Sequence, residues 1–395
     1  MSWKEVTVLN QRKSLIQDYL SGNFFITELC RMYGISRPTA YLWIKRYQEH
    51  GDDGLIDRES KPLSQPHATS NETIDAILSI KNKWMPWGPK KIKAYLEQNT
   101  SFILPSETTI GNILKRNGLV KNRKIRLRFA ERTQPLAHAK GINDVWSADF
   151  KGKFMTGDNH KCEPFTLTDN VSRFLLKCLH LDLNNTDHVW AVLDIAFREY
   201  GLPLYLRTDN GPPFASNGVG RLSSLAINLI KSGVIPDYID PGKPEQNGRH
   251  ERMHGSLKAE AISSRFSLEE QKMKLEEFQY YYNFERPHEG INQMTPGSIY
   301  RPSNRIWSGK LKSPEYENFY KKLKVRSSGQ IKFKGKDVFV GKALLDEYVG
   351  LKETETGFKI YYGPVFLGNL NEKGELNFSR RPGRKRDKKF HSKFY

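Results

Sequence analysis

The chain of 395 residues is long enough for about two to four domains with substantial cores. Its 63 Lys and Arg against 44 Asp and Glu leave a formal charge of +19, which points to nucleic acid as a partner and to binding that weakens with salt. Three scattered cysteines without a C-x-x-C pair, no signal peptide and no long apolar run exclude a disulfide scaffold, a cysteine-rich zinc module and a membrane span, so a soluble, cytoplasmic protein is expected.

Residues 11–20, 26–33 and 37–47 read as three helices. Gly34 ends the second, Ser36 caps the third, and Pro38 sits in its first turn, where a missing N–H costs nothing. A short helix, a glycine turn and a helix bearing Arg37, Thr39, Tyr41, Lys45 and Arg46 is the helix-turn-helix layout, whose second helix enters the major groove of DNA. The plainer alternative is a small bundle with a solvated basic face; Leu42, Trp43 and Ile44 are read as its core. This gives a DNA-binding domain over residues 1–60, followed by a linker rich in Asp, Pro and Ser.

Helical spacing returns at 71–84, 90–96 and 107–117, so residues 70–120 are expected to form a second helix-turn-helix-like unit. Residues 121–142 are a basic linker; Lys121, Arg123, Lys124, Arg126 and Arg128 in it are expected to track phosphates. From 143 to 305 the pattern becomes α/β: strands at 145–150, 165–167, 174–181 and 204–206, and helices at 187–200 (with Thr186 as cap), 219–231, the stretch around Glu251, and 268–284. Residues 325–378 read as a small antiparallel β-barrel. The last stretch, 379–395, is a basic tail expected to be disordered and to touch nucleic acid.

Three carboxylates stand out. Asp149 ends the first core strand, Asp209 ends the fourth just before Asn210-Gly211, and Glu251 lies on a later helix. Strand ends in an α/β sheet share one crevice, and an oxygen-rich set there suits Mg²⁺ or Mn²⁺. Asp169, in Thr168-Asp169-Asn170, is read instead as a turn cap. Helix spacing puts Asn247, Glu251, His254 and Lys258 on one face. The same stretch, His250-Glu251-Arg252-Met253-His254, also matches the H-E-x-x-H zinc-protease signature, for which Glu269, Glu276 or Glu277 would supply the third ligand. A protease has no use for Asp149, Asp209 or the charge.

The segments WSADFKG (146–152), RTDNGPPF (207–214) and PEQNGRHERMHGSLK (244–258) closely resemble those of bacterial insertion-sequence transposases of the retroviral-integrase superfamily. WGPKKIKAYL (87–96) and YNFERPHEG (282–290) resemble them too; the ERPH residues are read as structural. The resemblance implies all-α helix-turn-helix units, an RNase H-like α/β catalytic core and a C-terminal all-β barrel. It implies that Asp149, Asp209 and Glu251 bind two Mg²⁺ or Mn²⁺ per active site, and that Asn247 and Lys258, with His254 beside them, face DNA. The chemistry implied is cleavage at terminal inverted repeats to free a 3′-OH, then strand transfer into target DNA by a homodimer or larger assembly. The spacing departs from the common one: Glu245 would fit a retroviral count, but the letters around Glu251 align better. A DNA-binding regulator built on an inactive core is the nearest other reading.

Overall fold

Ser36, Ser70 and Ser106 each accept the backbone N–H of the threonine three residues on, at 3.3, 3.3 and 3.2 Å, and each starts a helix. The computed structural model describes residues 7–57, 68–120, 138–240 and 243–378, and divides the chain into two units, 1–68 and 69–395. The basic linker residues from Lys121 to Arg128 and the tail from 379 lie outside the described residues. No described helix is long and apolar enough to cross a membrane, and all three cysteines are free.

The first unit is helical: α1 (Val8–Leu20), α2 (Ile26–Tyr33) and α3 (Arg37–His50). Gly34, at φ +63°, makes the left-handed stop between α2 and α3, a conformation that disfavours side chains with a Cβ. Ile16, Ile44 and Leu55 form the core. Trp43 is only partly buried and lies between two guanidinium groups, Arg12 at 3.8 Å and Arg46 at 4.5 Å. Leu42, expected in the core, is 52% exposed. At 100° per residue Leu42 falls half a turn from Ala40 and Ile44, which point inward.

The second unit begins with α4 (Asn71–Lys83), α5 (Pro89–Asn99) and α6 (Glu107–Arg116). Then come β1 (Val145–Phe150), the short hairpin β2 (Phe154–Met155) and β3 (Lys161–Cys162), β4 (Pro164–Asp169), β5 (Leu175–His180), α7 (Thr186–Tyr200) and β6 (Tyr205–Thr208). They are followed by α8 (Ser224–Ser232), β7 (Ile235–Tyr238), α9 (Gly248–Glu260), α10 (Leu268–Phe284) and the short α11 (Pro296–Ile299). The central sheet runs β5-β4-β1-β6-β7, with β1, β4 and β5 antiparallel and β6 and β7 parallel to β1.

Strand alternation decides the two faces. Trp146, Ala148, Phe165 and Leu167 turn to a core completed by α7, α8, Tyr300 and Trp307. Leu175 and Cys178, brought to one face by the register shift opposite Leu167 and Thr168, turn the other way, to Met253 and Leu257 of α9 and Phe278 and Tyr281 of α10. Helices α4–α6 join that second core through Ile77, Trp87, Ile92 and Ile110, and the Trp84 ring stacks on Tyr281 at 4.1 Å. The helices expected as a second module thus share one apolar cluster with α9, α10 and β5.

Two helix starts differ from expectation. Asn185, not Thr186, caps α7 by accepting from His188 N. The helix expected from 219 begins at Ser224, because Gly220 is left-handed (φ +60°) and a Cβ there would stand 2.6 Å from Leu367 Cδ2.

The C-terminal strands are β8 (Lys321–Lys324), β9 (Gln330–Phe333), β10 (Lys336–Phe339), β11 (Tyr348–Thr354), β12 (Gly357–Tyr362), β13 (Val365–Leu370) and β14 (Leu376–Asn377). They form an antiparallel five-stranded sheet, β14-β13-β12-β11-β8, beside the β9–β10 hairpin. Among the described residues no pairing joins β14 to β8, so the expected barrel is here an open sheet and a hairpin. Its core includes Ala226, Ile227 and Ile230 of α8, and Lys231 pairs with Glu347 at 2.7 Å, so this sheet is fastened to the segment between Asp209 and Glu251.

Candidate active site

Asp149 and Asp209 are brought together by strand register. Ser147 of β1 pairs with Arg207 of the parallel β6, so two residues further on Asp149, near the end of β1, and Asp209, just past the end of β6, stand level at the C-terminal ends of neighbouring strands. Asp209 accepts from Gly211 N at 3.0 Å, a turn that holds its carboxylate at the strand end. The loop that follows is tied down by Asn210 Nδ2 on Ile239 O at 2.7 Å and by Arg221 Nη1 on Asn210 Oδ1 at 3.0 Å.

Glu251 comes from α9. The buried stripe of that helix is His250, Met253, His254 and Leu257; Glu251 and Lys258 are exposed along its border. The charges of Asp209 and Glu251 both reach Asp149. Burial first, then Asp209, with a smaller push from Glu251, raise the Asp149 carboxyl to about 7, against a pull from the Phe150 N–H and from Lys151. Of the three predicted carboxylates, Asp149 and Asp209 are part-buried, Glu251 is open to solvent, and Asp149 feels the charge of each of the other two.

Behind Asp149 lies a polar layer. Thr166, opposite Asp149 in the β1–β4 register, donates its hydroxyl to Asp149 O at 3.1 Å. The same oxygen meets His250 Nε2 at 2.7 Å and His254 Nε2 at 2.8 Å, and Thr168 Oγ1 meets His250 Nδ1 at 3.0 Å. One assignment satisfies every partner: both imidazoles are neutral and donate Nε2–H to Thr166, and Thr168 donates to His250. Burial holds His250 well below the usual histidine range and pushes His254 down to about 3, which agrees. His254 then turns an unprotonated Nδ1 toward Asp149 Oδ2, 3.9 Å away, and the contact is not an ion pair.

These positions revise several expectations. His254 and Asn247, expected to face DNA, are interior residues, each 7% exposed, because α9 turns its inner face to β4; Lys258 is exposed as expected. The zinc-protease set does not assemble. Glu269 pairs with Lys272 and Glu277 with Lys274 on α10, and Glu276 is exposed. The acid nearest the two histidines is Asp149, which with them makes the one cluster of potential metal-ligating atoms among the described residues, all within 4.8 Å. Asp169 is the turn cap expected, accepting from Asn143 N, Val171 N, Ser172 N and Ser172 Oγ. Thr166 was not singled out from sequence: the alternation in Phe165-Thr166-Leu167-Thr168 is that of a strand with one solvated face, whereas β4 is buried on both.

In the first unit Arg37, Tyr41 and Lys45 are exposed at successive turns of α3, and Lys45 lies 3.9 Å from Glu49. Thr39 Oγ1 is engaged with Ser36 Oγ at 2.8 Å, and Arg46 donates to Ile56 O at 2.7 Å as well as stacking on Trp43.

Two matches to the integrase core domain cover this site: residues 139–244, which hold Asp149 and Asp209, and residues 232–296, which hold Glu251. A helix-turn-helix domain matches residues 11–62 and a homeodomain-like domain residues 39–114. The ORF3 protein of Spiroplasma virus SpV1-C74, described as an integrase, is 31% identical over 72% of this chain and 86% of its own length. The chain belongs to the integrase-core family. This integrase-core chain is also 24% identical to the 31.7 kDa protein of insertion element IS407 of Burkholderia multivorans, over 68% of the chain and 88% of that protein. Against the transposase for transposon Tn552 of Staphylococcus aureus it is 24% identical over 63% of the chain, and it spans 54% of that longer protein.

Proposed function

We propose that this chain is a DNA transposase, a polynucleotidyl transferase with an RNase H-like core and Asp149, Asp209 and Glu251 as its catalytic, metal-binding residues. The observation that supports the reading is that Asp209 and Glu251 both act electrostatically on Asp149, and that all three lie within the two integrase-core matches. Their chemistry fits a hard divalent cation: Asp149, raised by burial and then by repulsion from Asp209 and Glu251, would be relieved by a positive charge at these oxygen donors. When bound, a pair of Mg²⁺ or Mn²⁺ ions would supply activation of an attacking oxygen and neutralisation of the leaving one at the transferred phosphorus.

The chain's own residues set the rest. The strand register holds Asp149 and Asp209 level, and the Gly211 N–H fixes the Asp209 rotamer. Thr166, His250 and His254 hold α9, and with it Glu251, at its distance from β1. Lys151, beside Asp149, and exposed Lys258 would neutralise phosphates on the approaching strand. The helix-turn-helix unit, through Arg37, Tyr41 and Lys45, would recognise terminal inverted repeats, and the basic linker and tail would hold backbone phosphates. In this reading, the freed 3′-OH attacks target DNA by direct transesterification, without a covalent protein–DNA intermediate. Two ends have to be synapsed, so a dimer or larger symmetric assembly is expected.

The test is nicking and strand transfer on DNA carrying the sequences that flank the gene, with Mg²⁺ or Mn²⁺, comparing the native chain with Asp149→Ala and Glu251→Ala. Cutting at the element's ends by the native chain and none by either variant supports the reading. Cutting that survives both substitutions sinks it.

A further inference from the structure

The residues Glu285-Arg286-Pro287-His288, read from sequence as structural, border a second cationic site. A cavity of about 340 Å³ lies between α5, α9, α10 and the turn after β4, and Lys91, Arg173, Arg249, Arg252, Arg286 and His288 line it. Arg249 and Arg252 lie about 160° and 100° round the helix from Glu251, so the cavity opens on the far side of α9 from the three carboxylates. It is a different place from the site described above.

Five cations around so small a volume repel one another, and all but the exposed Arg252 also lose hydration, a cost that persists only with compensation. The structure supplies part of it. Glu260 pairs with Arg286, whose Nη1 also donates to Tyr281 Oη at 2.7 Å and whose Nη2 donates to Ser256 Oγ at 2.9 Å. Arg173 and Arg249 share the carbonyl of Asn170, at 2.7 and 2.8 Å. Glu289 also lines the cavity; its carboxylate lies 3.3 Å from Lys90, and it and Glu260 give Lys91 some negative charge. Among the described residues the Arg252 side chain makes one hydrogen bond, to its own helix at Gly248 O, and Lys91 donates none. Burial, followed by the charge of Arg286, lowers Lys91 to about 8, and burial with Arg249 lowers Arg173 to about 10, as expected of cations facing too little negative charge. His288 is neutral, pushed down to about 3 by burial and then by Lys91 and Arg286.

We infer that this cavity is a binding site for a phosphate, and that its occupant is a phosphodiester of the DNA backbone. Guanidinium forks match phosphate oxygens two at a time, and the volume admits a phosphate with its sugar but not a duplex. A strand held there and another at the carboxylates would grip α9 from both sides, and Lys91 would make helices α4–α6 part of that grip. The choice of DNA as the phosphate's source rests on the transposase reading; the anion chemistry does not.

The experiment measures affinity of the full chain for a short random-sequence duplex as a function of salt. It compares the native chain, Arg252→Gln, the double variant Lys91→Gln with Arg252→Gln, and Arg252→Lys. Lys91 and Arg252 are chosen because the fold uses them least. Loss of one phosphate contact in the double variant flattens the slope of log K against log[salt] by about 0.9, while Arg252→Lys keeps the native slope. A native slope in a double variant with a native melting curve overturns the inference. So does a native slope accompanied by a melting temperature that rises with inorganic phosphate in the native chain only, which would assign the cavity to free phosphate. Should the double variant melt early, Arg252→Gln alone is read the same way. Metal-dependent cutting by the native chain is scored in parallel. A flattened slope without any cutting leaves the phosphate site standing and removes the transposase reading; cutting with a native slope does the reverse.

Discussion

His254 turns its Nδ1 toward Asp149 Oδ2 at a separation of 3.9 Å, while its Nε2 is held by Thr166 at 2.8 Å. A neutral imidazole presenting a lone pair to a carboxylate gives it no positive charge to rest on, so Asp149 faces burial, Asp209 and Glu251 with only Lys151 and the Phe150 N–H in its favour. The site is strained electrostatically in the direction that a cation or a proton would relieve.

Replacing Asp149 by Asn should therefore abolish cutting yet raise the melting temperature. Because the folded-state pKa of about 7 exceeds the ordinary 3.8, the folded chain holds the proton more tightly than the unfolded one. The destabilisation by Asp149 is complete above about pH 7 and fades as the pH falls toward 4. Melting curves across that range should show the advantage of Asp149→Asn shrinking with acidification; an advantage independent of pH would contradict the account.

Thr166→Val removes a hydroxyl that two buried imidazoles share while nearly preserving volume. Each orphaned N–H costs about 1–3 kcal/mol, so chemical unfolding should register a clear loss, and metal-dependent cutting should fall as α9 loses its seat. Thr166→Ser keeps the oxygen and should restore most of both.

Glu260→Gln leaves the Arg286 guanidinium without its carboxylate in the interior, where the two side chains are 2% and 8% exposed. Breaking such a pair from one side costs about 3–5 kcal/mol, and the melting temperature should drop accordingly. A drop no larger than that of a surface substitution would show that water reaches Arg286.

In the first unit two arginines of α3 should separate. Arg46→Ala strips a stacked cation from Trp43 and a hydrogen bond from Ile56 O, so that unit should unfold about 1–2 kcal/mol more easily. Arg37→Ala, at an exposed position, should leave stability within about 0.5 kcal/mol and lower DNA affinity, measured by titration of the full chain.

The elements were legible wherever the signal is local. The Ser36 cap, the Gly34 stop, the α/β alternation and the Asp169 turn are each written within a few residues, and the structure repeats them. The Ser224 start of α8 was not legible, because Gly220 is left-handed for the sake of Leu367, a residue far along the chain. Helices α4–α6 read as a free-standing module because the apolar partners that cover them, Tyr281 and Met253 among others, lie well over a hundred residues away.

By itself the sequence determined the order of helices, strands and turns, the positive balance and the types of acid at three strand and helix ends, since each depends on backbone preferences and composition. Only the tertiary structure decided which faces those residues occupy. Pairing β1 with β6 made Asp149 and Asp209 neighbours, and docking α9 against β4 sent His250 and His254 to Thr166, Glu251 to the border and Arg249 and Arg252 to the opposite side. A helix shows its periodicity in the sequence, but which of its faces becomes interior depends on what the rest of the chain packs against it.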